Sequence, residues 1–182
     1  MKINEILSTV SKEAIEVCSR VSSRELEQLA QEVEKAGSIF IYGNGRSGLV
    51  GKMIAMRLMH SGYRVHVVGE TTTPALEAGD LLIVLSGSGK GRTVGSMTDK
   101  VADIGGRSAL VTASPDEALK AQFDSVLFIE ASTKNNDIPT IQPLGNQFDQ
   151  SMHLILDAMV IHLNAASGKS REALKSKHFN LE

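Results

Sequence analysis

Apolar positions recur about three and four apart from Ile3 to Val17 and from Ser23 to Lys35, which predicts two amphipathic helices, the second capped by Ser22 or Ser23. After Gly37 the period changes. Short runs rich in β-branched residues at Ile39–Tyr42, Val65–Val68, Leu81–Leu85, Ala109–Thr112 and Val126–Ile129 alternate with helix-length segments. Runs such as Leu81-Leu82-Ile83-Val84-Leu85 show no polar alternation, as expected of strands buried on both faces. The fold class is therefore α/β, with about five parallel strands flanked by helices in a Rossmann-like arrangement behind an N-terminal helical segment. Residues 1–36 form that segment and 37–182 the core and tail of a single domain. Ligands of such sheets sit beyond the carboxyl ends of the strands, so the loops Gly43–Gly48, Gly69–Pro74 and Ser86–Thr93 are expected to face one site.

The segment Leu49–His60 is apolar around most of its circumference, with Lys52 and Arg57 its only Lys or Arg side chains, and Gln147–Asn164 is similarly rich in apolar residues. One sheet cannot cover that much surface, which predicts a second copy of the chain as partner.

Composition narrows the classes of function. At 182 residues the chain buries roughly 70% of its unfolded surface, enough for one core without metal or disulfide. Its 19 basic and 21 acidic residues are interspersed, leaving no basic run to neutralise a nucleic-acid backbone. The lone Cys18 has no partner for a bridge, the N-terminus lacks the apolar stretch of a signal peptide, and no apolar run is long enough for a membrane span. A cytoplasmic location is the expectation, with no nucleic-acid or membrane partner.

Two loops carry candidate chemistry. Gly43-Asn44-Gly45-Arg46-Ser47-Gly48 formally fits a dinucleotide fingerprint, and Glu70 lies 22 residues beyond Gly48, where a ribose-binding acid would stand. Against that, the chain is too short for a separate substrate domain, and Arg46 and Ser47 stand where a pyrophosphate needs bare backbone. Ser86-Gly87-Ser88-Gly89 follows a buried strand and precedes a helix. Its small residues let backbone amides and hydroxyls converge on an anion at a helix N-terminus. A plain Gly/Ser turn is the bland alternative.

Together with these loops, the runs Ala55-Met56-Arg57-Leu58-Met59-His60, Val68-Gly69-Glu70-Thr71-Thr72-Thr73-Pro74, Gly79-Asp80-Leu81-Leu82, Gln142-Pro143-Leu144-Gly145 and His178-Phe179-Asn180-Leu181-Glu182 resemble the sugar isomerase (SIS) domain family, and within it the 6-phospho-3-hexuloisomerases. The resemblance implies an isomerase interconverting D-arabino-3-hexulose 6-phosphate and fructose 6-phosphate, as in the ribulose monophosphate pathway. It implies a homotetramer with sites near subunit boundaries, a small sugar phosphate as ligand, and no metal or organic cofactor. Carried over by position, Ser47, Ser86 and Ser88 hold the phosphate with the backbone of Gly45 and Gly87, Arg46 reaches phosphate or sugar oxygens, and Thr93 assists. Glu70 would accept sugar hydroxyls or else cap the segment beginning at Thr72 or Thr73.

Moving the ketone requires a general base. The family's glutamate after phenylalanine is here Asp149 after Phe148, one methylene shorter. Asp149 could instead be a helix N3 acid paired with an Asn146 N-cap. His178 is the expected acid/base partner, an imidazole in a tail that Phe179 and Leu181 would dock, on this subunit or a neighbour. His60 reads as a helix-end histidine, His66 as a strand residue, His153 as a residue one turn from Asp149, and His162 as surface or interface. A second departure follows Gly89, where the family places threonine and an acid and this chain has Gly91 and Arg92, with Lys90 or Arg92 as substitute charge. A different sugar-phosphate isomerase and a non-catalytic sugar-phosphate regulator are the competing readings.

Overall fold

The five predicted strands form one parallel sheet in the computed structural model, which describes residues 1–181. They are β1 (Ile39–Gly43), β2 (Val65–Val67), β3 (Leu81–Leu85), β4 (Arg107–Thr112) and β5 (Ser125–Phe128), in the spatial order β2-β1-β3-β4-β5. Each neighbouring pair is in parallel register, for example Ile41 beside Ile83 and Ile83 beside Ala109. Glu182, the last residue of the C-terminal motif, lies outside the described residues.

The helices are α1 (Ile3–Arg20), α2 (Ser23–Lys35), α3 (Gly45–His60), α4 (Arg92–Ile104), α5 (Glu117–Lys120), α6 (Asn146–Ala166) and α7 (Arg171–Lys175). The Ser22 side chain caps α2 by accepting from the Glu25 amide. Strand residues sort by parity onto two cores. Ile39, Ile41, Leu81, Ile83, Leu85, Val111 and Leu127 pack with α1, α2, α3 and α6, whereas Phe40, Leu82, Val84 and Leu110 pack with Val94, Val101, Leu119 and Phe123 on the other face. Burial of both faces is why these strands lack alternation. No helix among the described residues is long and apolar enough to cross a membrane.

The apolar circumference of α3 divides into two parts. Val50, Ile54, Ala55 and Leu58 are buried, while Leu49, Met53, Met56 and Met59 face outward, and Leu154 and Ile161 of the adjacent α6 are likewise exposed. No element among the described residues covers that stripe.

The turn from β1 into α3 brings two stretches of backbone into close contact. A Cβ on Gly48 would lie 2.4 Å from the Gly43 carbonyl oxygen, so only glycine lets the helix start this close to its strand. Gly48→Ala must push the first turn of α3 outward. Overpacking of this kind costs about 1–3 kcal/mol, so thermal unfolding should show a melting point several degrees below wild type with far-ultraviolet circular dichroism retained.

Candidate active site

Strand order places the site. β2 lies on one side of β1 and β3 on the other, so the loops leaving β1 and β3 diverge and open a crevice between them. The cleft there, about 380 Å³, is lined by the first turns of α3 (Gly45, Arg46, Ser47), α4 (Thr93, Val94) and α6 (Phe148, Asp149). The N-caps of these three helices, Asn44, Gly91 and Gly145, make no side-chain cap hydrogen bond. By contrast, α2, α5 and α7 are capped by Ser22, Asp116 and Ser170. Three uncapped N-termini thus turn free amides and positive dipole ends toward one space, an arrangement that takes an anion.

Most of the expected binding residues meet there. Gly45, Arg46, Ser47, Ser86, Gly87, Ser88 and Thr93 all line the cleft. The Ser86 Oγ accepts from the Gly89 amide at 3.0 Å and the Ser88 Oγ from the Lys90 amide at 3.4 Å, so the hydroxyls shape the loop. Each hydroxyl proton remains to be donated to a ligand. Gly87 is closely packed: a Cβ would stand 3.1 Å from Thr133 Cγ2 and 3.4 Å from the Phe148 ring, so a side chain there would press on both. Lys90 lines the cleft and Arg92 does not, so Lys90 is the cation at the departure after Gly89.

Asp149 is at the cleft wall but not as an N3 acid. Gly145, with φ of +80°, is the N-cap, which makes Asn146 the first helical residue and Asp149 the fourth. Its carboxylate accepts from Ser47 Oγ at 2.8 Å and from Arg46 Nε at 3.1 Å, and neither bond involves His153. The Arg46 guanidinium also donates to Asn146 Oδ1 and to the Leu144 carbonyl. Leu144 has φ of +57° and is the sole non-glycine residue with positive φ among the described residues. The strain of that conformation turns its carbonyl toward Arg46.

Two expected site residues are elsewhere. Glu70 pairs with Lys52 at 2.6 Å in a separate depression, because β2 is outboard of β1 and carries its loop away from the crevice. It caps no helix at Thr72 or Thr73, and Thr73 Oγ1 instead donates to the Glu70 carbonyl. The ring of His178 stacks on that of His60 with centroids 5.2 Å apart, in a depression also lined by Arg57, Asn164 and Arg171. Ser47 stands in the first turn of α3 and His60 ends it, and 13 residues at 1.5 Å rise put His60 roughly 20 Å from Ser47. His178 and Asp149 therefore do not meet within one chain. Phe179 and Leu181 are exposed, so the tail touches its own subunit through the His178–His60 stack while these two side chains stay undocked.

Motif reasoning missed Tyr42, Thr133, Lys134, Asn135 and Phe148, which complete the cleft wall. The segment 133–135 has no pattern of its own, although a Lys-Asn pair in a polar loop after the last strand was a weak signal. Among the described residues, no three His, Cys, Asp or Glu side chains converge as a metal site requires.

A parallel five-stranded sheet with an anion-binding crevice at its switch point, walled by serine loops and a carboxylate, defines a sugar-phosphate-binding α/β protein. The SIS domain profile matches residues 32–162, and the chain belongs to that family. Over its full length it is 36% identical to the 3-hexulose-6-phosphate isomerase of Bacillus subtilis strain 168, covering all of both chains. It is 38% identical to the enzyme of that name from Mycobacterium gastri, covering 99% of this chain and 92% of that one. The crystal structure of a Methanococcus jannaschii protein, from which a function of 3-hexulose-6-phosphate isomerase was inferred, superposes with a TM-score of 0.84 at 29% identity, covering 98% and 99% of the two chains.

Anion binding at the converging helix ends is directly measurable. Inorganic phosphate should raise the melting temperature, a hundredfold excess over Kd adding about 2.7 kcal/mol. Ser86→Ala, which removes a donor and loosens the turn at Gly89, should shift the phosphate dependence to higher concentration; an unchanged dependence places the anion elsewhere.

Proposed function

We propose that this chain interconverts D-arabino-3-hexulose 6-phosphate and fructose 6-phosphate through a cis-enediol. The observation that carries the reading is the pairing, in one cleft, of three uncapped helix N-termini with the Asp149 carboxylate. The relatives named 3-hexulose-6-phosphate isomerase supply the substrate.

In this reading the phosphate lies against Ser86, Gly87, Ser88 and Thr93, with Lys90 neutralising charge. The Asp149 carboxylate takes the proton from C3 of fructose 6-phosphate as electrons move toward the C2 carbonyl oxygen, the proton of the C3 hydroxyl passes to that C2 oxygen through the cis-enediol, and the carbon proton returns to C2 as the ketone forms at C3. Ser47 and Arg46 hold that carboxylate in place. The shorter reach of aspartate must be met by a closer sugar, since a misplacement of about 1 Å costs on the order of a hundredfold in rate.

The active unit we propose is a cytoplasmic homotetramer in which His178 serves the cleft of a neighbouring subunit. Three observations support this: His178 stacks on His60, which is roughly 20 Å along α3 from Ser47, Phe179 and Leu181 of its tail are exposed, and the Leu49, Met53, Met56, Leu154 and Ile161 stripe is uncovered. One observation favours a non-catalytic sugar-phosphate sensor as the second reading, namely that both Asp149 oxygens are already engaged by Ser47 and Arg46.

Incubation with fructose 6-phosphate in D₂O separates the two. Catalysis should place carbon-bound deuterium at C3 and produce the 3-hexulose, both visible by NMR. Asp149→Asn should lower the rate about 10²–10⁴-fold, the usual contribution of a positioned base. His178→Ala should lower turnover without loss of phosphate binding. Thermal stabilisation by fructose 6-phosphate with no deuterium incorporation would establish the sensor instead.

A further inference from the structure

The cleft has two walls that no phosphate motif accounts for, the segments 133–135 and 144–145. Both lie in the stretch between β5 and α6, which contains no strand or helix of its own. Backbone of that kind holds a shape only if its polar groups find partners outside it. The partners converge on one side chain of α1.

The Glu13 carboxylate accepts from Thr140 Oγ1 at 2.6 Å and Gln142 Nε2 at 2.9 Å on one oxygen, and from the Ile141 amide at 3.1 Å on the other. Thr140 Oγ1 in turn accepts from the Gln142 amide at 3.0 Å. Gln147, in the first turn of α6, stands near enough to Glu13 to help lower its pKa, and its Oε1 accepts from the Ser132 amide at 2.7 Å. Gln142 and Gln147 are both buried, so their amides have no water to exchange with. Burial pushes the Glu13 carboxyl up, but the hydrogen bonds from Thr140, Gln142 and Ile141, with Gln147 nearby, outweigh it and hold the group below the ordinary carboxylate range. The network therefore favours the charged form, an acceptor with no proton of its own.

From this carboxylate two short paths lead to the cleft. One runs through Thr140, Ile141 and Gln142 to Leu144, whose carbonyl accepts from Arg46, which donates to Asp149. The other runs through Gln147 and Ser132 to Thr133, Lys134 and Asn135. We infer that Glu13 is a positioning residue for the active cleft: from a helix outside the matched SIS segment, it orders both irregular walls and, through Leu144 and Arg46, the Asp149 carboxylate. The serine loop and the start of α4 take no part in this network, so the phosphate grip does not depend on it. The kinetic consequence rests on the isomerase reading above, whereas the ordering of the walls does not.

The test compares Glu13→Ala, Glu13→Gln and Thr140→Val with Glu16→Ala, an exposed residue of the same helix. Glu13→Ala should lower kcat by about tenfold or more with KM within about threefold, the pattern of a misplaced reacting group with intact ground-state binding. Thr140→Val should move kcat in the same direction by less. Glu13→Gln should recover most of the loss, because the Thr140 hydroxyl can reverse and the Gln142 Oε1, buried without a partner, can accept from the new amide. In amide exchange, Glu13→Ala should speed Ser132, Ile141 and Gln142 and leave Gly89 unchanged. A lowered melting point with kcat within about twofold of wild type, or a loss entirely in KM, would overturn the inference. If wild type itself does not turn over fructose 6-phosphate, the isomerase reading fails and the exchange pattern alone decides: unchanged exchange at those three amides removes the positioning role. If Glu13→Ala does not fold, Thr140→Val carries the same two readouts.

Discussion

A parallel strand delivers the start of the following helix to the same edge of the sheet, and the whole arrangement depends on that geometric constraint. β1 leads into α3 and β3 into α4, so both helices open at the carboxyl edge, on either side of the reversal in strand order. The close approach at Gly48, where any side chain would meet the Gly43 carbonyl, keeps α3 tight against its strand. α6 begins at the same place although no strand immediately precedes it, because Gly145 at positive φ turns the chain into the helix beside Arg46. Leaving these N-termini without a side-chain cap forgoes up to about 2 kcal/mol at Asn44 and only a few tenths of a kcal/mol at the glycines Gly91 and Gly145. Away from the cleft, α2, α5 and α7 retain their caps, and at α1, whose Lys2 makes no side-chain cap bond, the Glu5 carboxylate accepts from the Lys2 amide.

The carboxylate at this positive end is not there for stability. Arg46 is 45% exposed and Asp149 14%, and so open an ion pair contributes at most about 1 kcal/mol. Its geometric effect is larger. Arg46 donates at once to Asp149, Asn146 and the strained Leu144, so a single guanidinium joins α3, the turn before α6 and the candidate base. Ser47 fixes the second carboxylate oxygen, which leaves the carboxylate little freedom to rotate. The candidate base and the side chains that hold it are thus parts of one network.

The outer surface of α3 and α6 completes the picture. Exposed leucine, isoleucine and methionine side chains flank a helix whose inner face is already satisfied, and the tail that carries His178 reaches away from its own cleft. A monomer leaves both features without purpose, whereas a second copy against the stripe would account for both.

How much of this was legible beforehand follows from how local each signal is. The strand segments and the helices around them could be read because burial imposes a period that the chain carries residue by residue; the last strand differs from expectation by one residue, Ser125–Phe128 against Val126–Ile129. The serine loop was legible for the same reason, its small residues, hydroxyls and preceding strand being contiguous. Glu70 was misplaced because only the sheet order shows that β2 lies outboard. The alternative of Asp149 as an N3 acid behind an Asn146 cap fails because of the left-handed turn at Gly145, which cannot be read from composition. Lys134, Asn135 and Glu13 carry no motif; they reach the cleft or support it through contacts more than a hundred residues apart, as between Glu13 and Thr140. The sequence by itself determined the sheet, its helices and the anion loop, because those depend on neighbours along the chain. Which carboxylate faces the cleft, and what holds it there, was decided only by the tertiary structure, because those contacts exist only once distant segments have packed.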